Sequence, residues 1–139
     1  MGDPPAEHDD RYLAGIRLFN AGDYFDAHEV WEDLWHDCPS ADRRFYQSLI
    51  QAAVALYHWT RGNRPGAVRL FHSGRRYMDP YRPARHGLDV DKFWQDMEAR
   101  EFADPPGPPP IITLDPAPDS WPDPAAFLDP PDPPAEGVR

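Results

Sequence analysis

Residues 41–61 read ADRRFYQSLIQAAVALYHWTR, and this stretch decides the fold. On a helical wheel, with about 100° per residue, apolar side chains cover most of the circumference, from Phe45 and Leu49 round to Ile50. A helix that is apolar over so much of its surface is normally central and buried. The stretch therefore predicts a helical bundle with this helix at its centre.

Turn and capping residues divide the rest of the chain before residue 104 into further helices. Gly22-Asp23 and Gly62-Asn63 each combine a helix stop with a cap for the next helix, and Ser40 is a plausible cap for the central one. The predicted helices cover 11–20, 24 to about 37, 41–61, 64 to about 78, and about 90–102. No convincing strand pattern appears before the tail. The sequence predicts an all-α fold, a small bundle of antiparallel helix hairpins resembling tetratricopeptide pairs.

Proline divides the chain into regions. Thirteen of the nineteen prolines lie between Pro105 and Pro134, where regular helices cannot form. We predict a mobile N-terminal tail over 1–10, a helical domain over 11–103, and an irregular Pro- and Asp-rich extended tail over 104–139. The sparse apolar residues of that tail leave two uses open: a ligand for a proline-binding partner, or a belt lying on this domain or on a neighbouring subunit.

The charge of the chain limits its partners. The net charge is −10, but residues 11–103 hold 13 acidic and 13 basic residues, so the excess belongs to the tails. A neutral body argues against nucleic acid, which needs a net basic face. No apolar run approaches the length of a membrane span, and Cys38 is the only cysteine. We expect a soluble, cytoplasmic protein.

Charge is also uneven within the helical domain. Residues 23–42 hold seven acids and no Lys or Arg, whereas residues 43–85 hold nine Arg and one acid. Solvated faces with local pairing would explain this pattern, and so would complementary faces within the fold or across a homo-oligomer.

The central helix carries one narrow polar stripe. Arg44, Gln47, Gln51 and His58 fall within about 60° of one another on the wheel. Polar groups on a buried helix need partners, because each unsatisfied one costs about 1–3 kcal/mol. The stripe therefore marks a boundary with another helix that also offers polar groups.

The preceding helix offers such groups in residues 26–36, DAHEVWEDLWH. His28 and Glu32 lie four residues apart on one helix face, with Glu32 where the HExxH zinc signature has its second His. If the two helices pack antiparallel, His28 and Glu32 would meet the polar stripe. Aromatic side chains would wall that cluster: Trp31, Trp35 and Tyr57.

Three interpretations of the cluster remain open. In the first, His28, Glu32 and His58 bind a divalent metal such as Zn or Fe, and Glu29 acts as the base of a hydrolase. In the second, Arg44, Gln47 and Gln51 help to orient a small polar ligand in a metal-free pocket. In the third, the cluster is a structural hydrogen-bond network, with Arg44 pairing Glu32 or Glu29, and the chain is a non-enzymatic protein-interaction module. That module would use the helical hairpins and the Pro-rich tail to bind protein partners.

Several separate motifs together resemble one known family. Residues 19–32 (FNAGDYFDAHEVWE), 47–53 (QSLIQAA), 57–58 (YH), 61–63 (RGN) and 66–67 (GA) are similar, in order, to segments of the domain-of-unknown-function family three hundred and nine. The resemblance covers roughly residues 10–97 and leaves the Pro-rich tail outside. It implies a small all-α fold with helical hairpins and brings no established activity.

Overall fold

The computed structural model describes residues 8–129 as a bundle of five α-helices, which confirms the predicted all-α class. Their bounds are α1 (Asp10–Asn20), α2 (Tyr24–Asp37), α3 (Arg43–Thr60), α4 (Arg64–Met78) and α5 (Val90–Phe102). None of the helices in this part of the chain combines the length and the apolar character needed to cross a bilayer.

Two helical hairpins form the body, α1 with α2 and α3 with α4. Each turn between the paired helices contains a glycine in the left-handed region, Gly22 with φ 85° and Gly62 with φ 77°. Asn63 then caps α4, because its side chain accepts a hydrogen bond from the Gly66 amide. Asp23 occupies the equivalent position before α2 but makes no capping bond through its side chain.

Helix α3 is the centre of the bundle, as its apolar pattern predicts. It packs against α2 on one side and α4 on the other, and α5 contacts both α3 and α4. Phe45, Leu49 and Leu56 are at most 1% exposed. The close contact between α1 and α2 depends on Gly15, because a Cβ at that position would overlap the Trp31 indole.

Two local details differ from the predictions. A two-stranded antiparallel hairpin, β1 (Ala84–Arg85) and β2 (Leu88–Asp89), precedes α5 where no strand was predicted. Two-residue strands are too short for an alternating pattern to be visible in the sequence. The start of α3 also differs, because a 3-10 turn over Ser40–Asp42 comes before it and Ser40 does not cap it.

Residues 104–129, which we call the belt, run back across the helices. Ile112 and Leu114 are each 3% exposed, and Leu114 forms a β-bridge with Leu88 of the hairpin. The Asn20 side chain at the end of α1 accepts from the Ile112 amide and donates to the Ile112 carbonyl, at 2.8 and 2.9 Å. Of the two uses predicted for the tail, the burial of these side chains agrees with the belt that lies on this domain. The rest of the predicted tail, residues 130–139, lies outside the described residues, as do residues 1–7 of the N-terminal tail.

Candidate functional site

His28 and Glu32 lie side by side on α2, as their spacing predicts. The distance from His28 Nε2 to Glu32 Oε1 is 3.6 Å, and their side chains are 16% and 49% exposed. His28 Nδ1 lies 2.7 Å from the Phe25 carbonyl oxygen. Because a carbonyl can only accept, Nδ1 carries the proton of that bond. In the neutral tautomer that carries this proton, Nε2, the nitrogen on the side of Glu32, is the one that can bind a metal ion.

Aromatic rings border this pair where α2 meets α3. Phe25 is 47% exposed, and its ring centroid lies 4.9 Å from that of His28 and 5.5 Å from that of Tyr57. The Arg61 guanidinium stacks on Tyr57 at 5.2 Å. We call the surface made by Phe25, His28, Glu32, Tyr57 and Arg61 the α2–α3 boundary site. Phe25 thus contacts both the His28 ring and the Tyr57 ring, and the site is a partly exposed surface and not a buried cluster.

Glu29 lies outside this surface. It is exposed, about 100° round the helix axis from His28, and makes no hydrogen bond or ion pair with any of residues 8–129. No described contact joins its carboxylate to His28 or to Glu32.

Neither tryptophan of α2 walls the boundary site as predicted. Trp31 is fully buried against α1, where its indole donates to the Tyr12 carbonyl at 3.2 Å. Trp35 is half-buried under the Arg43 guanidinium, 4.4 Å from its ring centroid. Trp31 therefore belongs to the hydrophobic core, and Trp35 packs beside the start of α3.

The polar stripe of α3 faces α4, so the prediction that it meets α2 is wrong. Gln51 accepts a short hydrogen bond from the Ser73 hydroxyl of α4. Arg44 stacks on Tyr77 of α4 at 4.3 Å and donates to Gln47 at 3.4 Å. Both neighbours of α3 are antiparallel helices, and a helical wheel does not tell which neighbour a stripe faces.

His58 belongs to the turn between α3 and α4 and is not assembled with His28. Its Nδ1 accepts from the Asn63 side-chain amide at 3.2 Å, which supports the residue that caps α4. The predicted metal set of His28, Glu32 and His58 is therefore not brought together. Among residues 8–129 there is no group of three or more His, Cys, Asp or Glu placed to hold a metal ion.

A second polar cluster, not predicted from the sequence, is centred on Asp42. This carboxylate is 8% exposed and accepts from Arg85 at 2.6 Å and from His86 Nε2 at 2.9 Å. Burial raises the pKa of Asp42, but these hydrogen bonds and charges outweigh it and leave the pKa below its ordinary value. His86 has φ 49°, its carbonyl accepts from the Tyr12 hydroxyl, and its ring stacks on Tyr46. The cluster fastens the β-hairpin to the start of α3.

Glu101, near the end of α5, is the most unusual ionisable group. It is 3% exposed, and neither carboxylate oxygen has a hydrogen-bond partner among the described residues. Burial raises its pKa to about 7, although the positive charge of Arg64 acts in the opposite direction. The helical periodicity of α5 could have shown that this position faces the core, four residues after Met97.

The chain is similar to proteins that are described as uncharacterized. Over 70 residues, the chain is 40% identical to the uncharacterized protein YpuF of Bacillus subtilis (strain 168), a match that covers 50% of this chain and 40% of that protein. It is 37% identical over 46 residues to an uncharacterized protein of Aquifex aeolicus (strain VF5), covering 32% of this chain and 14% of that protein. The matched segments thus span less than half the length of these relatives. The resemblance seen in the motifs is confirmed, because residues 12–70 match the model of the family described as a domain of unknown function (DUF309).

Proposed function

We propose that the chain has a binding function and that His28 and Glu32 of the α2–α3 boundary site hold a divalent metal ion. The distance of 3.6 Å between Nε2 and Oε1 carries this proposal. In a tetrahedral zinc site with bonds of about 2.0–2.2 Å, neighbouring ligand atoms lie about 3.4 Å apart. The two side chains are thus already spaced as ligands of one ion.

The contact between His28 and Phe25 supports the same proposal. A histidine that binds a metal through Nε2 usually donates its Nδ1 proton to a carboxylate or a backbone carbonyl, which fixes the tautomer and the ring orientation. The Phe25 carbonyl does this for His28 at 2.7 Å. Metal binding would then need little rearrangement of the imidazole.

Two protein ligands leave the remaining coordination positions for water or for a bound small molecule. Phe25 and Tyr57 would provide apolar contacts for such a molecule beside the ion. We propose binding and not hydrolysis, because Glu29 is exposed and no described contact positions it as a base.

Calorimetric titration of the untagged protein with Zn²⁺ near pH 7.5 tests this proposal. We expect one saturable site whose affinity falls about tenfold or more in His28→Ala and in Glu32→Gln. Glu29→Gln is the matched control on the same helix and should leave the affinity unchanged. His58→Ala should also retain binding, since His58 lies at the other boundary of α3. Absence of saturable binding, or equal losses in Glu29→Gln and Glu32→Gln, would refute the proposal.

Self-association is a second candidate function, favoured by the exposure of Phe25 at 47% beside the acidic face of α2. Two exposed acids of α2, Glu29 and Asp33, form no ion pair with any described residue, and neither does Arg69 on α4. An acidic α2 face of one copy would fit the basic α4 face of another. Sedimentation at low salt should then show dimers or larger species that Phe25→Ser reduces; a monomer at all concentrations would eliminate this candidate.

A further inference from the structure

A cleft between α4 and α5 lies apart from the α2–α3 boundary site and shares no residue with it. Its volume is about 470 Å³. Met78, Val90 and Trp94 are at most 5% exposed and contribute apolar surface to the wall. This volume lies within the range of small-molecule sites, which are typically about 300–1,000 Å³.

Two ion pairs connect α4 and the segment after it to α5 across the cleft. Arg82 Nε lies 2.5 Å from Asp91, and Arg75 lies 4.0 Å from Glu98. These contacts engage two of the three acids that line the cleft, and they leave Asp79 as the acid without a side-chain partner in residues 8–129. The lining holds three arginines and three acids, so one arginine, Arg76, and one acid, Asp79, lie outside these ion pairs.

Two groups of the cleft have donors without an acceptor among the described residues, the Arg76 guanidinium and the Trp94 indole. Arg76 lines the cleft and makes no hydrogen bond or ion pair with any described residue. Trp94 lines it from α5, and its buried indole Nε1–H has no acceptor in this part of the structure. The unpaired guanidinium of Arg76 in this cleft fits a ligand that carries negatively charged acceptor oxygens.

We propose that this cleft binds a small molecule with a carboxylate or phosphate group, and that Arg76 is the main contact of that oxyanion. Asp79 accepts from a hydroxyl or amino group of the same molecule. The guanidinium suits either anion, because its planar donors match both carboxylate and phosphate oxygens. A small molecule, and not an acidic protein segment, is the ligand because the site is a concave space of about 470 Å³ between two helices.

Titrations with inorganic phosphate and with succinate, followed by ¹H–¹⁵N NMR at 0.15 M NaCl, test this proposal. We expect saturable shifts of the Trp94 indole N–H for at least one of the two probes. The indole signal is identified by its loss in Trp94→Phe, a variant used only for this assignment. A saturable shift with phosphate alone, with succinate alone, or with both would tell which oxyanion binds in the cleft.

Arg76→Gln supplies the decisive variant, because Arg76 is exposed and its loss should not disturb the fold. The affinity should fall about tenfold or more, the effect of one charge-assisted hydrogen bond. Arg69→Gln, an exposed arginine of the same helix that does not line the cleft, should bind as tightly as the unmodified chain. The proposal is overturned if neither probe gives saturable shifts, or if the two variants have the same affinity.

Discussion

Glu101 shows how one buried side chain can make the stability of the whole chain depend on pH. Its folded pKa of about 7 lies above the ordinary value of 4.5. The folded state therefore holds the proton more tightly than the unfolded state, and the free energy of unfolding falls as pH rises from about 4.5 to 7. Above pH 7 the carboxylate is ionised in both states, and the burial of its charge lowers the free energy of unfolding by a constant amount, up to about 3 kcal/mol.

Glu101→Gln should remove this pH dependence, because the amide cannot ionise. We expect the variant to be more stable than the unmodified chain at pH 8, by about 1–3 kcal/mol, and similar to it near pH 4.5. Urea unfolding followed by tryptophan fluorescence at both pH values measures the difference. Glu29→Gln, at an exposed site, should leave the curve unchanged; a Glu101→Gln variant with the same pH dependence as the unmodified chain would contradict the interpretation.

Single-residue predictions from the sequence succeeded where one helix determines the geometry. The i,i+4 spacing placed His28 beside Glu32, because both lie on α2. The same reasoning failed for His58, because its position depends on how two helices pack. The cluster of Asp42 with His86 was not predictable in this way, since these residues are 44 positions apart in sequence and are brought together by the β-hairpin.

At the scale of helices, the two hairpin turns have the same design but different capping. Asn63 accepts from the Gly66 amide at 3.2 Å, whereas the Asp23 side chain makes no capping bond. Capping side chains satisfy amides that have no partner within the helix. Asn63 and Asp23 therefore allow a direct comparison of a helix start with a capping side chain and one without.

Asn63→Ala should lower the free energy of unfolding by about 1 kcal/mol, within a range of about 0.5–2 kcal/mol. Asp23→Ala should cost clearly less, because it removes no capping bond. Chemical denaturation of both variants gives the comparison. If the two variants lose equal stability, the capping difference between the turns has no energetic consequence.

Helix positions were predictable because apolar periodicity and caps are local. The end of α2 at Asp37 and the end of α4 at Met78 agree with the prediction. The face that α3 turns towards each neighbour was not predictable, because the wheel position of Gln51 fits a boundary with α2 as well as the observed one with α4, where Ser73 donates to it. The short β-hairpin has too few residues for a pattern.

At the scale of the whole molecule, the belt joins the last described part of the chain to the first helix. Asn20 holds both polar groups of the Ile112 backbone, and the Arg17 guanidinium donates to the Pro122 carbonyl at 2.8 Å. The Asn20 contact is partly buried, so its loss would leave backbone groups of Ile112 without partners.

Asn20→Ala should therefore destabilise the chain by about 1–3 kcal/mol and speed amide hydrogen exchange around Ile112. Arg17→Ala removes an exposed contact with the same belt and should cost no more than about 1 kcal/mol. Exchange measured by mass spectrometry and urea unfolding distinguish the two variants. Unchanged exchange at Ile112 in Asn20→Ala would show that the belt is held by its apolar side chains alone.

The belt also sets an order for folding during synthesis. A chain leaves the ribosome from its N-terminus, so α1 to α4 emerge long before the residues that cover α1. Asn20 must wait for the synthesis of a further 92 residues before Ile112 can bind it. The surface of α1 that the belt covers is consequently open to chaperones, or to the belt of another nascent chain, until the proline-rich segment has emerged.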